Sequence, residues 1–334
     1  MGNIIIMLLL FVSTLANGQE MFSHEREVEG KENYSIKNID FFNYTDGLRL
    51  SGTLISPKNS YTKIVVIIPG SGKDTRYAHH KLTATFLKNN IAVYRFDERG
   101  VGQSQGNFTS TVSGLTDDVS YCIKHLKTLS EYKEKKIGVL GHSLGGMASV
   151  VASNNSANST TKVDFLIQIA APVKNFSSVS KHQIKTLPQF KIHNKSDKET
   201  IQLLDTLVAI TIKSSTISDI DLRDKGIEII KEKGFDLKDI KFWSYTHINL
   251  FKQDYEDVYK ALQIPTIYLI GTKDKFVNPI EEVNLLKKYK NPLITIKVMA
   301  NLNHYLTSGS LQSDVIYNID RKATDAIMNW IQKI

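Results

Sequence analysis

The sequence predicts a doubly wound α/β sheet, mostly parallel, with a helical segment inserted into it. Three features carry that expectation. Short apolar runs rich in Ile and Val recur along the chain, as strands buried on both faces of a parallel sheet require. Helical stretches separate most of these runs, and alternation of strand with helix is the pattern of a doubly wound sheet. Between residues 173 and 262 the alternation stops, and apolar residues recur at helical spacing instead.

The elements follow in order. Residues 4–15 form an apolar run broken only by Ser13 and Thr14, and Ala16-Asn17-Gly18 then supplies the small residues a signal peptidase reads. Residues 1–18 are therefore expected to be a signal peptide cleaved after Gly18. The run is shorter than the roughly 20 residues a membrane-spanning helix needs, so the expected product is secreted or periplasmic with no stable membrane anchor. Residues 19–35 are polar and charged and read as a loose leader. Runs 39–44 and 48–55 flank Asp46-Gly47, a hairpin signal because glycine accepts the positive φ of a tight turn. Strands are expected at 63–68, 91–96, 136–140 and 163–169, with helices at 78–88, 115–126 and 144–153, completing a first part of the sheet domain over 36–172. Residues 173–262 read as a helical cap with helices at 198–212, 221–233 and 253–262, the first carrying Ile201, Leu204, Leu207, Val208 and Ile212 on one face. The remainder, 263–334, returns to the sheet with strands at 266–270 and 294–298 and helices at 280–288 and 315–331.

Composition narrows the function classes. The single cysteine, Cys122, sits in a helical run, so an intrachain disulfide and a thiolate metal site are both excluded, and no metal site is expected. The net charge of +8 is spread as single Lys and Arg residues alternating with acids. No block resembles a nucleic-acid-binding arm, so no nucleic-acid partner is expected.

The chemistry gathers at strand ends. Gly141-His142-Ser143-Leu144-Gly145 matches G-x-S-x-G directly after the strand at 136–140 and directly before a helix that opens on small residues. Such a turn must be sharp enough to push the Ser143 oxygen outward, and the flanking glycines leave room for close backbone approach. The helix that follows points N–H groups at any developing oxyanion. On these residues the chain resembles the α/β-hydrolase family over 36–334, in the branch of serine esterases and serine aminopeptidases that carry a helical cap.

Other segments extend the resemblance. Ile67-Ile68-Pro69-Gly70-Ser71-Gly72 is similar to the family's oxyanion loop, with Pro where His-Gly is common, and it implies Ser71 and Leu144 as the two N–H donors. Asp97-Glu98-Arg99-Gly100-Val101-Gly102-Gln103-Ser104 resembles the family's D-x-R-G-x-G-x-S turn, which shapes the site without doing chemistry. Gly271-Thr272-Lys273-Asp274, running on to Val277 and Pro279, is similar to the segment that carries the triad acid, which implies Asp274 in that role. His304, beyond the last strand, is the implied base. The implied mechanism has His304 take the Ser143 proton while Asp274 holds the imidazole.

His142, beside the nucleophile, and His79, after the oxyanion loop, are candidates for the pocket wall. Trp243 and Tyr245, from an aromatic cluster with Phe242 and His247, are candidates for a lid. The expected activity is hydrolysis of a small-molecule carboxylic ester without a cofactor. A serine aminopeptidase, which would need carboxylates to hold a substrate ammonium, and a non-enzymatic binding protein on the same fold are the alternatives.

Overall fold

The computed structural model describes residues 21–109, 111–155, 162–213, 217–310 and 315–334. The apolar run at 4–15 and the expected cleavage position after Gly18 lie outside the described residues.

Strand β1 (Tyr34–Asn38) leads into β2 (Phe41–Asn43) and β3 (Leu48–Leu50), which pair as a two-stranded antiparallel hairpin closed at Gly47, where φ is +67°. Next come β4 (Gly52–Pro57), β5 (Lys63–Ile68), helix α1 (His80–Lys88), β6 (Ala92–Phe96), α2 (Val112–Thr128), β7 (Lys136–His142), α3 (Leu144–Asn155) and β8 (Phe165–Ile169). Helices α4 (Phe176–Thr186), α5 (Asp197–Lys213), α6 (Asp219–Glu232), α7 (Tyr245–Phe251) and α8 (Glu256–Ala261) separate β8 from β9 (Thr266–Gly271). The chain then closes with α9 (Pro279–Tyr289), β10 (Ile294–Met299) and α10 (Arg321–Ile331). Among the described residues the main sheet has eight strands in the order β1-β4-β6-β5-β7-β8-β9-β10. The β1–β4 and β4–β6 pairs are antiparallel and the remaining neighbours parallel.

Burial explains why these runs are strands. Every residue of β6 and β8, and every residue of β5 after Lys63, is buried, which only a sheet covered on both faces allows. Parallel register also brings the carboxyl ends of β5, β7, β9 and β10 to one edge, where open α/β sheets collect their sites.

The helices between β8 and β9 bury a cluster of their own, including Leu203, Leu204, Leu207, Leu222, Ile230, Phe242, Trp243 and Phe251. The segment at its end behaves differently from expectation: Tyr255, Tyr259 and Leu262 belong to the main core. The Tyr259 hydroxyl donates to Gln168 Oε1 on β8 at 3.2 Å, and α8 packs on α3 and α9, the helices that cover the sheet, rather than on α5 and α6.

Three other expectations are corrected. The segment 19–35 is not loose where it is described. Glu25 and Val28 are buried, and Glu25 accepts from the Thr75 N–H and hydroxyl at 2.5 and 2.8 Å. Helix α1 begins at His80 rather than 78 because His79 takes a left-handed conformation. The last helix begins at Arg321 rather than 315, because the Asp320 carboxylate caps it by accepting from the Lys322 N–H at 2.8 Å.

The start of the insertion is pinned by an acid. Val173 N–H donates to the buried Glu282 Oε2 at 2.8 Å, and burial raises the Glu282 pKa from 4.5 to about 8. A carboxyl with a raised folded-state pKa stabilises the fold while protonated. Its contribution is therefore whole below pH 4.5 and is lost as pH rises through about 8. Glu282→Gln keeps an acceptor for Val173 without the titration. Its melting temperature should match wild type near pH 4, exceed it increasingly up to about pH 8 and keep that lead above it, as read by calorimetry at about one-unit pH steps. Parallel profiles across that range would contradict the assignment.

Candidate active site

Ser143 stands at the turn from β7 into α3 with φ +53°, a conformation a residue with a Cβ adopts only when its surroundings impose it. The imposing contacts are its own N–H donating to the Ile169 carbonyl of β8 at 2.8 Å, and its carbonyl accepting from Gly146 and Met147 N–H groups at 2.9 and 3.2 Å. Gly145 is required there: a Cβ on it would come within 2.0 Å of the Pro69 carbonyl oxygen. The elbow therefore lies directly against the loop after β5. Leu144, first residue of α3, has no intrahelical acceptor for its N–H.

Asp274 follows β9 and His304 follows β10, and both are buried. Asp274 Oδ2 meets His304 Nδ1 at 2.8 Å, while Oδ1 accepts from the Phe276 and Val277 N–H groups at 2.8 and 2.9 Å. Both oxygens are thus engaged and the carboxylate cannot rotate without losing a bond. An imidazole that donates Nδ1–H to a carboxylate keeps its lone pair on Nε2, the nitrogen that a neighbouring hydroxyl can use.

Ser143 and His304 line one cavity of about 230 Å³ together with Ser71, Leu144 and His142. Four of the five expected strand-end residues are there, and the fifth, Asp274, supports the histidine from behind. His142 is buried with Nε2 3.2 Å from the His304 carbonyl oxygen and its ring 4.9 Å from the His304 ring. Burial holds its pKa well below the ordinary value, with the neighbouring His304 adding to the effect, so it stays neutral.

The other three candidates, His79 for the wall and Trp243 and Tyr245 for a lid, are elsewhere. His79 is buried behind the wall, its ring 4.0 Å from Tyr317 and 5.4 Å from His142, and burial lowers its pKa to about 3. Trp243 packs inside the insertion's own core and donates Nε1–H to the Arg223 carbonyl at 3.0 Å. Tyr245 is exposed, with the Arg223 guanidinium 5.2 Å over its ring. An indole and a phenol with cluster and cation partners of their own gain nothing from turning to the cavity.

In their place the wall is built from residues that the sequence did not single out. Phe176, Val179 and Gln183 of α4, with Phe276, Tyr305 and Tyr317, line the cavity. Helix α4 is tied to the acid loop, with His182 Nε2 3.1 Å from the Asp274 carbonyl and the Thr186 hydroxyl donating to the Lys275 carbonyl at 2.6 Å. His24, from the segment expected to be a leader, also lines the cavity. It contacts Asp74 Oδ1 at 2.9 Å, and this bond raises its pKa above the ordinary value. Tyr317 donates to the other Asp74 oxygen at 2.8 Å. Helical spacing at α4 is a usable signal for a wall, but His24 and Tyr317 have no local signature.

Among the described residues, His24, Glu25 and Asp74 place potential metal-ligand atoms within 4.8 Å of one another. Those atoms are already bonded to each other's neighbours: Asp74 to His24 and Tyr317, Glu25 to Thr75 and Phe22. Behind them the Glu98 carboxyl accepts from the Asp74 N–H at 2.9 Å, and burial raises its pKa well above the ordinary value.

The sheet thus carries a serine elbow after β7, an acid after β9 and a histidine after β10. The family model described as serine aminopeptidase, S33, matches residues 59–221. The esterase Pf2001 of Pyrococcus furiosus superposes with a TM-score of 0.57 over 95% of this chain and 98% of its own, at 18% identity. The chain has the α/β-hydrolase fold. Est1E of Butyrivibrio proteoclasticus, solved with ferulic acid bound, superposes with this chain at a TM-score of 0.55 and 16% identity, covering 88% and 99% of the two chains. In sequence, an uncharacterized protein YfhR of Escherichia coli O157:H7 is 30% identical over 129 residues, 38% of this chain. The match spans 44% of that relative's length.

The geometry makes a spectroscopic prediction independent of any substrate. A charge-assisted Nδ1–H bond as short as the one to Asp274 should give a strongly deshielded imidazole proton in the NMR spectrum. It should vanish in Asp274→Asn and persist in Asp254→Asn, a control at an acid that instead accepts from the Glu256 N–H at the start of α8. Persistence in the first variant would mean that another group holds His304.

Proposed function

We propose that this α/β-hydrolase cleaves small carboxylic esters through an acyl-enzyme on Ser143, with His304 as general base and acid and Asp274 holding its tautomer. One observation carries the reading: the 2.8 Å contact between Asp274 and His304 backs a histidine that shares its cavity with a serine on a strained elbow. In the proposed reaction the Ser143 oxygen attacks the ester carbonyl as its proton passes to His304 Nε2. The Ser71 and Leu144 N–H groups receive the oxyanion, the alcohol leaves with that proton, and water then releases the acid by the same route.

A volume of about 230 Å³ suits a short acyl chain better than a peptide. Peptidase action on a free amino terminus would need a carboxylate available to an ammonium group. The acid in the cavity wall, Asp74, has its two oxygens taken by His24 and Tyr317. That engagement favours the ester. We further propose that the chain is exported, on the strength of the apolar run at 4–15 and the small residues up to Gly18.

Ser143→Ala should abolish fluorophosphonate labelling and lower ester turnover by roughly a thousandfold or more. Labelling that survives in that variant would place the nucleophile elsewhere. Specificity is decided by kcat/KM for p-nitrophenyl acetate or butyrate against leucyl or alanyl p-nitroanilide under one set of conditions. The ester value should be the larger, and an anilide value equal to it would turn the reading to the aminopeptidase.

A further inference from the structure

A second cavity, of about 580 Å³, lies beside β1, β4 and β6 and shares no lining residue with the one that holds Ser143. Two buried arginines line it, and their situations differ. Arg76 donates Nε–H and Nη2–H to the two oxygens of Asp97 at 3.0 and 2.7 Å, and Nη1–H to the Thr53 hydroxyl at 2.9 Å. Its charge is matched and its fork is full. Arg95 projects from β6, opposite Thr53 of β4, and is 4% exposed. Among the described residues its hydrogen bond runs from Nη1–H to the Ala78 carbonyl at 2.9 Å, and no carboxylate is paired with it.

A buried guanidinium without a counter-charge is costly, and it is rare unless something neutralises it. The acids nearby are committed elsewhere. Glu27 and Glu32, in the lining, are exposed, the first bonded to Lys31 at 3.1 Å and the second accepting from Asn33 Nδ2 at 3.2 Å, and Glu25 is turned to Thr75. Burial lowers the Arg95 pKa to about 10, which still leaves it charged at neutral pH. The buried charges around the cavity, Arg76, Asp97 and Arg95, leave one positive charge unmatched. Tyr34, Tyr77 and Ile55 supply apolar wall, and Gln103 and Asn38 supply polar atoms.

We propose that this cavity is a binding site for a small organic monocarboxylate, its carboxylate held by the Arg95 fork and its apolar body against Tyr34, Tyr77 and Ile55. A carboxylate matches both the planar fork and the single unmatched buried charge, whereas a phosphate dianion would have to draw the lining's remaining cation, Lys31, away from Glu27.

The test is titration of the full chain with sodium benzoate at ionic strength held constant with sodium chloride, read by calorimetry and by melting temperature. Wild type should give a saturable rise in melting temperature, and Arg95→Met should bind at least about tenfold more weakly. Without ligand, Arg95→Met should melt no lower than wild type, since an unmatched buried charge has been removed. Glu27→Gln, a surface change that leaves the fold untouched, should bind benzoate more tightly because a like charge leaves the edge. Sodium phosphate should bind more weakly than benzoate. A response that does not saturate, equal affinity in Arg95→Met and wild type, or no tightening in Glu27→Gln overturns the site. A lower melting temperature in unliganded Arg95→Met overturns the unmatched charge on which it rests. Phosphate binding tighter than benzoate overturns the monocarboxylate.

Discussion

The backbone conformation of Ser143 is the constraint around which the rest of the site is arranged. A positive φ at a residue with a Cβ is held only by surrounding structure, and here three separate pieces supply it. The Ile169 carbonyl of β8 takes the Ser143 N–H, the first turn of α3 takes its carbonyl, and the loop after β5 presses against Gly145. A side chain at Gly145 would drive Pro69 away, and Pro69 begins the loop that carries Ser71. The elbow and the proposed oxyanion loop therefore share one close contact, so neither can move without the other. The parallel register of β5, β7 and β8 fixes all three pieces at the same sheet edge.

The strand-end chemistry was legible because it is local. Ser143, Asp274 and His304 each follow an apolar run within a few residues, and a parallel sheet turns that sequence position directly into a spatial one. The walls were not legible for the opposite reason. His24 matters because it meets Asp74, 50 residues on, and Tyr317 reaches the same carboxylate from 243 residues away. Nothing in the polar run around His24 marks it as half-buried against the cavity, since a polar segment becomes ordered when its partners are elsewhere in the chain. The helix boundaries at 80 and 321 were misread because a left-handed His79 and the Asp320 cap are single-residue events, which periodicity averages away.

Trp243 illustrates a different limit. An aromatic cluster inside a helical insertion has the same appearance in sequence whether it faces a substrate or its own helices. The difference lies in what the helices lack. With Leu203, Leu204, Leu207, Leu222 and Ile230 on neighbouring faces, the insertion needed a large side chain to close its core, and Trp243 supplies it. The residues of the insertion that reach the cavity instead come from α4, its first helix.

That placement of α4 links specificity to chemistry. The helix presents Phe176, Val179 and Gln183 to the cavity while His182 and Thr186, within the same three turns, bond the carbonyls of Asp274 and Lys275. A substrate that pushed α4 outward would pull on the loop whose N–H groups, at Phe276 and Val277, hold Asp274 Oδ1. Misalignment of a triad acid is expensive because an imidazole in the wrong orientation cannot accept the proton. An oversized acyl group should therefore lose turnover as well as affinity, because the wall that it displaces is bonded to the acid that orients His304.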